Sequence, residues 1–314
     1  MINNNYGTSH DILKVSSKRF EMSPFVSKYL TPQTIFGLYG NRFYPLSTEP
    51  DPTEAYWNLK KKVMLYDVPE KPLEICGPDA VKLLENVFTR SVYDLKAHRA
   101  RYAIACNFDG GILMDGVLIR LKDDKFWYIH ANGDFETWLL AHSKGLNVKI
   151  KDPRSWAIQI QGPKALALMK DLIGRQVKLD NMPYYGLAKA KVGGRPCIIS
   201  QTGFSGEAGY EIYLYNATKY ADDMWNAVLK AGKKHKLRVI APAHHRRIQA
   251  GILSWGQDLD HEHNPFQCNL GYQVSLSGKG EWKKKANYIG KEALEKMKAE
   301  LNAGIKPYKL QLVG

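Results

Sequence analysis

The sequence predicts an α+β fold with antiparallel sheets, built as two related halves. Three observations carry this reading. One pattern occurs twice: "LEICGPDAVKLLENVF" (73–88) and "IQIQGPKALALMKDLIG" (158–174) each hold a short apolar strand, a Gly-Pro turn and an amphipathic helix. The two copies lie about 85 residues apart, too far for a solenoid repeat. Next, Asp109-Gly110-Gly111 joins two alternating apolar segments within 100–121, a strong hairpin signal. Finally, no G-x-G-x-x-G opens a helix after a strand and no G-x-x-x-x-G-K-[ST] is present, which argues against dinucleotide and P-loop folds.

Residues 1–50 are polar, with scattered aromatics and prolines, and read as an irregular N-terminal arm on the body. A helix begins in 51–61, with Asp51 or Thr53 as its cap. The first strand–turn–helix unit, the Asp-Gly-Gly hairpin and the strand "KFWYIHAN" (125–132) follow, then the second unit. Residues 185–215 hold two or more further strands, around Gly193-Gly194 and the turn 203–209. Helices are expected at 217–235 and about 242–255. "ANYIGKEALEKMKAEL" (286–301) reads as a capped helix, and "KPYKLQLVG" (306–314) as the beginning of a strand.

The chain has 314 residues, a length that suggests about two domains. With 44% hydrophobic and 11% aromatic residues it buries a sizeable core and is not a disordered chain. Its charge of +14, from 45 basic and 31 acidic residues, favours an anionic partner: a nucleic acid, a phosphate or a polycarboxylate. The charge is dispersed, and Lys60-Lys61-Lys62 and Lys283-Lys284-Lys285 read as solvated faces rather than a nucleic-acid groove. Cys76, Cys106, Cys197 and Cys268 are far apart in apolar contexts, so they read as reduced, buried thiols of a cytoplasmic protein. No apolar run is long enough to span a membrane, and the first residues lack the apolar core of a signal peptide.

Two carboxylates sit where chemistry is plausible. In "TGFSGEAGYEIYLY" (202–215), alternation puts Glu211, Tyr213 and Tyr215 on one strand face and Tyr210, Ile212 and Leu214 on the other. A carboxylate among aromatics beside a glycine-rich turn suits a planar heterocycle with adjacent N–H donors. An edge-strand Glu in water, or one paired with an arginine, is the alternative. Asp115, within "ILMDGVLI", is either a turn former or a partly buried group that stabilises a cation or holds a proton. The stretch 243–265 is rich in His and Asp, but its spacing matches no metal motif, so no metal is expected. Arg247, at a helix start, either clamps a carboxylate or lies on the surface.

Seven segments, in order over about 60–310, resemble the glycine cleavage T protein (aminomethyltransferase) superfamily of tetrahydrofolate-dependent enzymes. They are "YDVPEKPLEICGPDAVKLLENVFTRSV", "RYAIACNFDGGILMDGVLI", "IQIQGPKALALM", "TGFSGEAGYEIYL", "RIQAGILSWGQDLD", "NPFQCNLGYQVSL" and "YIGKEAL". Within it, "SSKRFEMSPFVSKY" and the later segments look closest to the dimethylsulfoniopropionate demethylase branch.

The resemblance implies a folate-binding region over 51–305, an arm over 1–50, and the start of a C-terminal β-barrel domain at 306–314. It implies transfer of a methyl group from a small onium or methoxy donor to N5 of tetrahydrofolate. Glu211 then holds the pterin, Tyr102, Phe204 and Arg247 line the folate site, and Asp115 is the catalytic carboxylate. His130, Trp127 and Trp255 are assigned to the donor pocket, a core role for the tryptophans being the alternative. The positive charge would attract the folate polyglutamate tail. Met114, His130, Gln201, Gln249 and Gln267 depart from the T-protein pattern. An aminomethyltransferase acting on a lipoylated carrier protein and a non-catalytic folate-binding protein remain the alternatives.

Overall fold

The Gly-Pro repeat is visible in the computed structural model, which describes residues 20–48, 51–242, 244–276 and 287–312. In the first half, β4 (Pro72–Cys76) runs into α2 (Ala80–Val87); in the second, β9 (Ser155–Gln161) runs into α4 (Ala165–Ile173). The turn glycines are obligatory in both copies. Gly77 and Gly162 have φ of 134° and 122°. A Cβ on Gly77 would lie 2.4 Å from the Asn147 carbonyl oxygen, and one on Gly162 2.6 Å from that of Lys62.

Around each unit an antiparallel sheet is assembled. The first sheet has the order β5-β6-β7-β4-β8, adding β5 (Arg99–Cys106), β6 (Ile112–Lys122), β7 (Lys125–His130) and β8 (Lys149–Lys151). The second has the order β10-β11-β12-β9-β3-β13. It adds β3 (Met64–Val68), β10 (Leu187–Val192), β11 (Arg195–Ser200), β12 (Gly209–Tyr215) and β13 (Arg238–Val239). Among the strands of these two sheets in the described residues, β13 alone pairs in parallel, with β3. The remaining helices are α1 (Pro52–Lys61), α3 (Phe135–His142), α5 (Ala217–Gly232), α6 (His244–Gln249) and α7 (Lys291–Asn302).

The two sheets pack face to face. Tyr66, Ala157, Ile198 and Tyr213 from one meet Ile119, Trp127 and Ile129 from the other. Each outer face carries its own helices. Ile158, Ile212 and Leu214 pack against Leu168 and Met169 of α4 and Met224 and Trp225 of α5. Ile75, Leu118 and Phe126 pack against Leu83 and Leu84 of α2 and Leu139 of α3. The result is a helix–sheet–sheet–helix stack. Strand β12 is therefore covered on both faces, with the alternation expected of it.

Several expectations need correction. The N-terminal arm is not irregular throughout: β1 (Ile35–Tyr39) and β2 (Arg42–Ser47) form a hairpin. Asp51, not Thr53, caps α1, its Oδ1 accepting from the Thr53 N–H at 2.8 Å. The helix expected over 242–255 covers only α6, and Gly251, with φ of 69°, follows its end. Helix α7 begins after Gly290 with no side-chain cap. No strand forms over 306–312; that segment instead lies along 267–269, with the Leu312 N–H donating to the Gln267 carbonyl at 2.9 Å. Residues 1–19, Lys283-Lys284-Lys285 and residues 313–314 lie outside the described residues.

Candidate functional site

The facing sheets and the segments 202–204, 247–258 and 268–273 enclose a cleft of about 1320 Å³. Strand register places Glu211 on its wall. Glu211 of β12 is opposite Gln159 of β9, which is opposite Tyr66 of β3, so all three project from the inner face of the six-stranded sheet. The Glu211 carboxylate is buried and well supported. Gln159 donates to Oε1 at 2.7 Å, while the Tyr213 hydroxyl at 3.0 Å and the Thr202 hydroxyl donate to Oε2. Burial nevertheless raises its pKa.

Asp115 reaches the same cleft from the other sheet. Along β6, Val117, Ile119 and Leu121 face the sheet–sheet core while Met114 and Leu118 face the helices. Asp115 shares the parity of the first set, so it points inward where the sheets part. Tyr102 on β5 sits diagonally across from it, opposite Val117. The Tyr102 hydroxyl donates to Asp115 Oδ2 at 2.6 Å. Burial pushes the Asp115 carboxyl up to about 6, against the lowering effect of that hydrogen bond. The same burial raises the Tyr102 phenol, which keeps its proton and remains a donor. His130 lies at the end of β7, opposite Gly116. Its Nδ1 is 2.7 Å from the Ala131 carbonyl, an acceptor only, so Nδ1 carries the proton. Burial lowers its pKa and keeps the imidazole neutral.

Phe204, Arg247 and Trp255 also line the cleft. Arg247 is no surface residue. It donates to the Ile252 carbonyl at 3.1 Å and to Gln257 Oε1 at 2.9 Å, and it forms an ion pair with Asp258. The carboxylate it clamps is thus one of the chain's own, and it pins the 252–258 loop. Trp255 donates its indole N–H to the Ile112 carbonyl at 2.9 Å. Trp127 is not brought to the cleft. It is fully buried between the sheets, donating to Glu74 Oε2 at 3.0 Å and packing edge-on against Tyr213 and Tyr215. It shares a β7 face with Ile129, which lines the cleft, but lies two residues away along the strand, opposite Ile119, where the two sheets are in contact.

Glu70 was not anticipated from the sequence. It lies just after β3 and lines the cleft. Its Oε2 is buried without a hydrogen-bond partner among the described residues. Burial, then the charge of Glu211, raises its pKa. Tyr39, from the unexpected β1–β2 hairpin, lines the cleft as well, and the Gly40 N–H donates to Asn132 Oδ1 at 2.9 Å. Lys96, Arg99 and Arg101 are among the residues at the rim. Among the described residues no three His, Cys, Asp or Glu side chains gather into a ligand set, and no helix is long and apolar enough to cross a membrane.

This arrangement fits a flat, hydrogen-bonding heterocycle with an anionic tail. Oε1 of Glu211 carries one protein donor, which leaves it a lone pair for an incoming N–H. Aromatic rings and the basic rim supply the rest.

The GCVT N-terminal domain matches residues 35–278. The chain is 30% identical over 260 residues to the trimethylamine-oxide aldolase of Ruegeria pomeroyi, covering 79% of this chain and 32% of that protein. It is 29% identical over 240 residues to the dimethylsulfoniopropionate demethylase DmdA of the same organism, covering 76% and 63%. An aminomethyltransferase of Clostridium botulinum is 28% identical over 281 residues, covering 85% and 73%. The chain thus spans less than two thirds of the length of the first two relatives. The solved structure of glycine cleavage system aminomethyltransferase T from Bartonella henselae superposes with a TM-score of 0.76 at 21% identity, covering 91% of this chain and 76% of that one, which establishes the shared fold.

Proposed function

The chain belongs to the GCVT N-terminal domain family, and from that membership and the cleft we propose a tetrahydrofolate-dependent one-carbon transferase. Its donor is a small onium or methoxy compound such as dimethylsulfoniopropionate. The observation that carries the reading is the pair of buried carboxylates, Glu211 and Asp115, one on each facing sheet, opening on a single cleft.

Glu211 would hold the pterin through its remaining acceptor site, with Gln159, Thr202 and Tyr213 fixing its orientation. Phe204, Tyr102 and Arg247 line the folate site, and Lys96 and Arg99 meet the glutamate tail. Bound tetrahydrofolate supplies the nucleophilic N5. With an onium donor, N5 would accept the methyl group while sulfur or nitrogen of the donor would keep the electron pair of the bond given up. Asp115, held by Tyr102, takes the proton released from N5; its raised pKa suits a base working near neutrality. The leaving group is neutral, so alignment is the main demand on the protein. His130 and Trp255 border the donor side; Trp127 is excluded from it by burial. We place the folate-binding region at 51–305, with Tyr39 of the preceding hairpin completing the wall.

A second reading, an aminomethyltransferase served by a lipoylated carrier protein, is favoured by the fuller overlap with the Clostridium botulinum relative, 73% of whose length is covered. Mass spectrometry of the folate product separates the two. Incubation of the chain with tetrahydrofolate and dimethylsulfoniopropionate should give 5-methyltetrahydrofolate. Methylenetetrahydrofolate formed only with an aminomethylated lipoyl carrier would replace the first reading by the second.

A further inference from the structure

We propose that Glu70 is a second recognition group for the pterin: as a carboxylic acid it donates a hydrogen bond to the ring carbonyl, while Glu211 accepts from the neighbouring ring N–H. The pair then reads a lactam edge. The assignment rests on the folate reading above and concerns how the ring is recognised.

Glu70 and Glu211 belong to one wall. Tyr66, Gln159 and Glu211 project side by side from the inner face of the six-stranded sheet, and Glu70 follows the end of β3. Both glutamates line the cleft. Their carboxyls are supported unequally. Glu211 receives hydrogen bonds from Gln159, Thr202 and Tyr213, all of which favour its ionised form. The Glu70 carboxyl receives none among the described residues, and no described cation forms an ion pair with it. Two carboxyls sharing a site do not both ionise readily, and the proton stays on the less supported one. That one is Glu70.

The surrounding charges agree. Arg42 of β2 spends its guanidinium on the Glu70 carbonyl at 2.8 Å, the Ser155 carbonyl and Glu21, not on the Glu70 carboxyl. Arg246 of α6 borders a side pocket with Glu70, but its Nη1 donates to the Ala241 carbonyl at 2.9 Å. Asp67 of β3 adds negative charge. Burial, then the nearby carboxyl charges, keeps the phenols of Tyr39, Tyr44 and Tyr213 protonated.

The two oxygens of Glu70 differ. Oε2 is buried without a partner, yet the residue is partly exposed and borders the cleft, so Oε1 is the oxygen a ligand reaches. A proton on Oε2 would find no acceptor. On Oε1 it faces the cleft and can be donated. Glu211 is an acceptor only, with a lone pair of its own Oε1 left for an incoming N–H. A donor beside an acceptor complements a ring carbonyl beside a ring N–H, the edge that a tetrahydropterin offers at C4 and N3. Two ionised carboxylates would repel that carbonyl.

Anaerobic calorimetric titration of the full chain with tetrahydrofolate tests this, in two buffers of different ionisation enthalpy, from neutral to alkaline pH. The acid form of Glu70 binds. Wild-type affinity should therefore be highest at neutral pH and fall as pH rises through the raised Glu70 pKa, approaching about tenfold per pH unit, with uptake of up to roughly one proton on binding. Glu70→Gln keeps a donor but has no proton to lose. It should bind within about threefold of wild type at neutral pH, with neither the alkaline fall nor the proton uptake. Glu70→Leu, with no donor, should bind about tenfold or more weakly. Binding by Glu70→Gln as weak as by Glu70→Leu would mean that Glu70 acts as an anion. A wild-type profile without the fall, or the same fall in Glu70→Gln, would remove Glu70 from the contact. Each of these overturns the proposal and leaves the folate reading intact, and the wild-type profile alone decides if a variant fails to unfold cooperatively. No tetrahydrofolate binding by any of the three proteins sinks the folate reading, and this assignment with it.

Discussion

Replacing Tyr102 by Phe removes a single hydroxyl from the candidate site. That hydroxyl donates to Asp115 Oδ2 at 2.6 Å. A hydrogen bond to a charged group contributes about 1.5–3 kcal/mol, and it stabilises the carboxylate rather than the acid. Burial already pushes the Asp115 carboxyl up to about 6, with the Tyr102 bond opposing it. Loss of the bond should raise the titration midpoint further, by roughly one to two pH units. The assay needs no donor: carbon-13 NMR of a sample labelled at the aspartate carboxyl carbons, followed across pH. The Asp115 resonance is the one absent from the Asp115→Asn protein. In wild type it should titrate near 6, and in Tyr102→Phe at clearly higher pH. An unchanged or lower midpoint in Tyr102→Phe would refute the idea that this bond tunes the carboxylate.

Further outcomes follow from the same structure. Trp127→Phe should destabilise the fold by about 2–4 kcal/mol, through loss of the Glu74 bond and of buried volume, while leaving ligand affinities unchanged; urea unfolding and calorimetry check the two halves. Gly116→Ala should lower the thermal midpoint markedly, because the added Cβ would lie 2.3 Å from the Ile129 carbonyl oxygen on the adjacent strand; an unchanged midpoint would mean that β6 and β7 are not so close. Asp67 accepts from Tyr29 at 2.7 Å and Trp156 at 2.8 Å, yet burial pushes its carboxyl up to about 6. The folded chain then keeps a proton that the unfolded chain has released above about pH 4. The resulting stabilisation, up to about 3 kcal/mol, is complete below that pH and lost as pH rises through about 6. Wild type should therefore lose stability relative to Asp67→Asn over that window, as read from urea midpoints; a relative gain would contradict the sign.

The parts of the fold legible in the sequence are those set by local pattern. The Gly-Pro turns require positive φ at Gly77 and Gly162, and the Asp109-Gly110-Gly111 turn joins the segments seen as β5 and β6. The β1–β2 hairpin carried a signal of the same kind: Gly40-Asn41, with φ of 56° and 61°, between alternating residues. It was obscured by the polar, proline-dotted context. Strand alternation fixes which neighbours share the Glu211 face, whereas Asp115 stands out by its place in a hairpin strand and by the family resemblance. Alternation does not say what that face meets. Trp127 is assigned to a pocket from the sequence, but at its position along β7 the two sheets are in contact, an arrangement made between residues far apart in the chain. Glu70, between Pro69 and Lys71, reads as a surface residue. Only the pairing of β3 with β9 and of β9 with β12 carries it to Glu211. Arg247 read equally well as a clamp or a surface group, and the loop that folds back to present Asp258 decides its partner.

The most direct test of the central claim is an anaerobic tetrahydrofolate titration of this chain and its Glu211→Gln variant, followed by calorimetry. Wild type should bind. The variant replaces one carboxylate oxygen by an amide N–H, which cannot accept from the pterin and disrupts the support from Gln159, Thr202 and Tyr213. Losing a single charge-assisted hydrogen bond predicts affinity roughly 10- to 100-fold weaker. Equal affinity in both proteins would remove Glu211 from the folate site, and no binding by either would contradict the folate reading of the cleft.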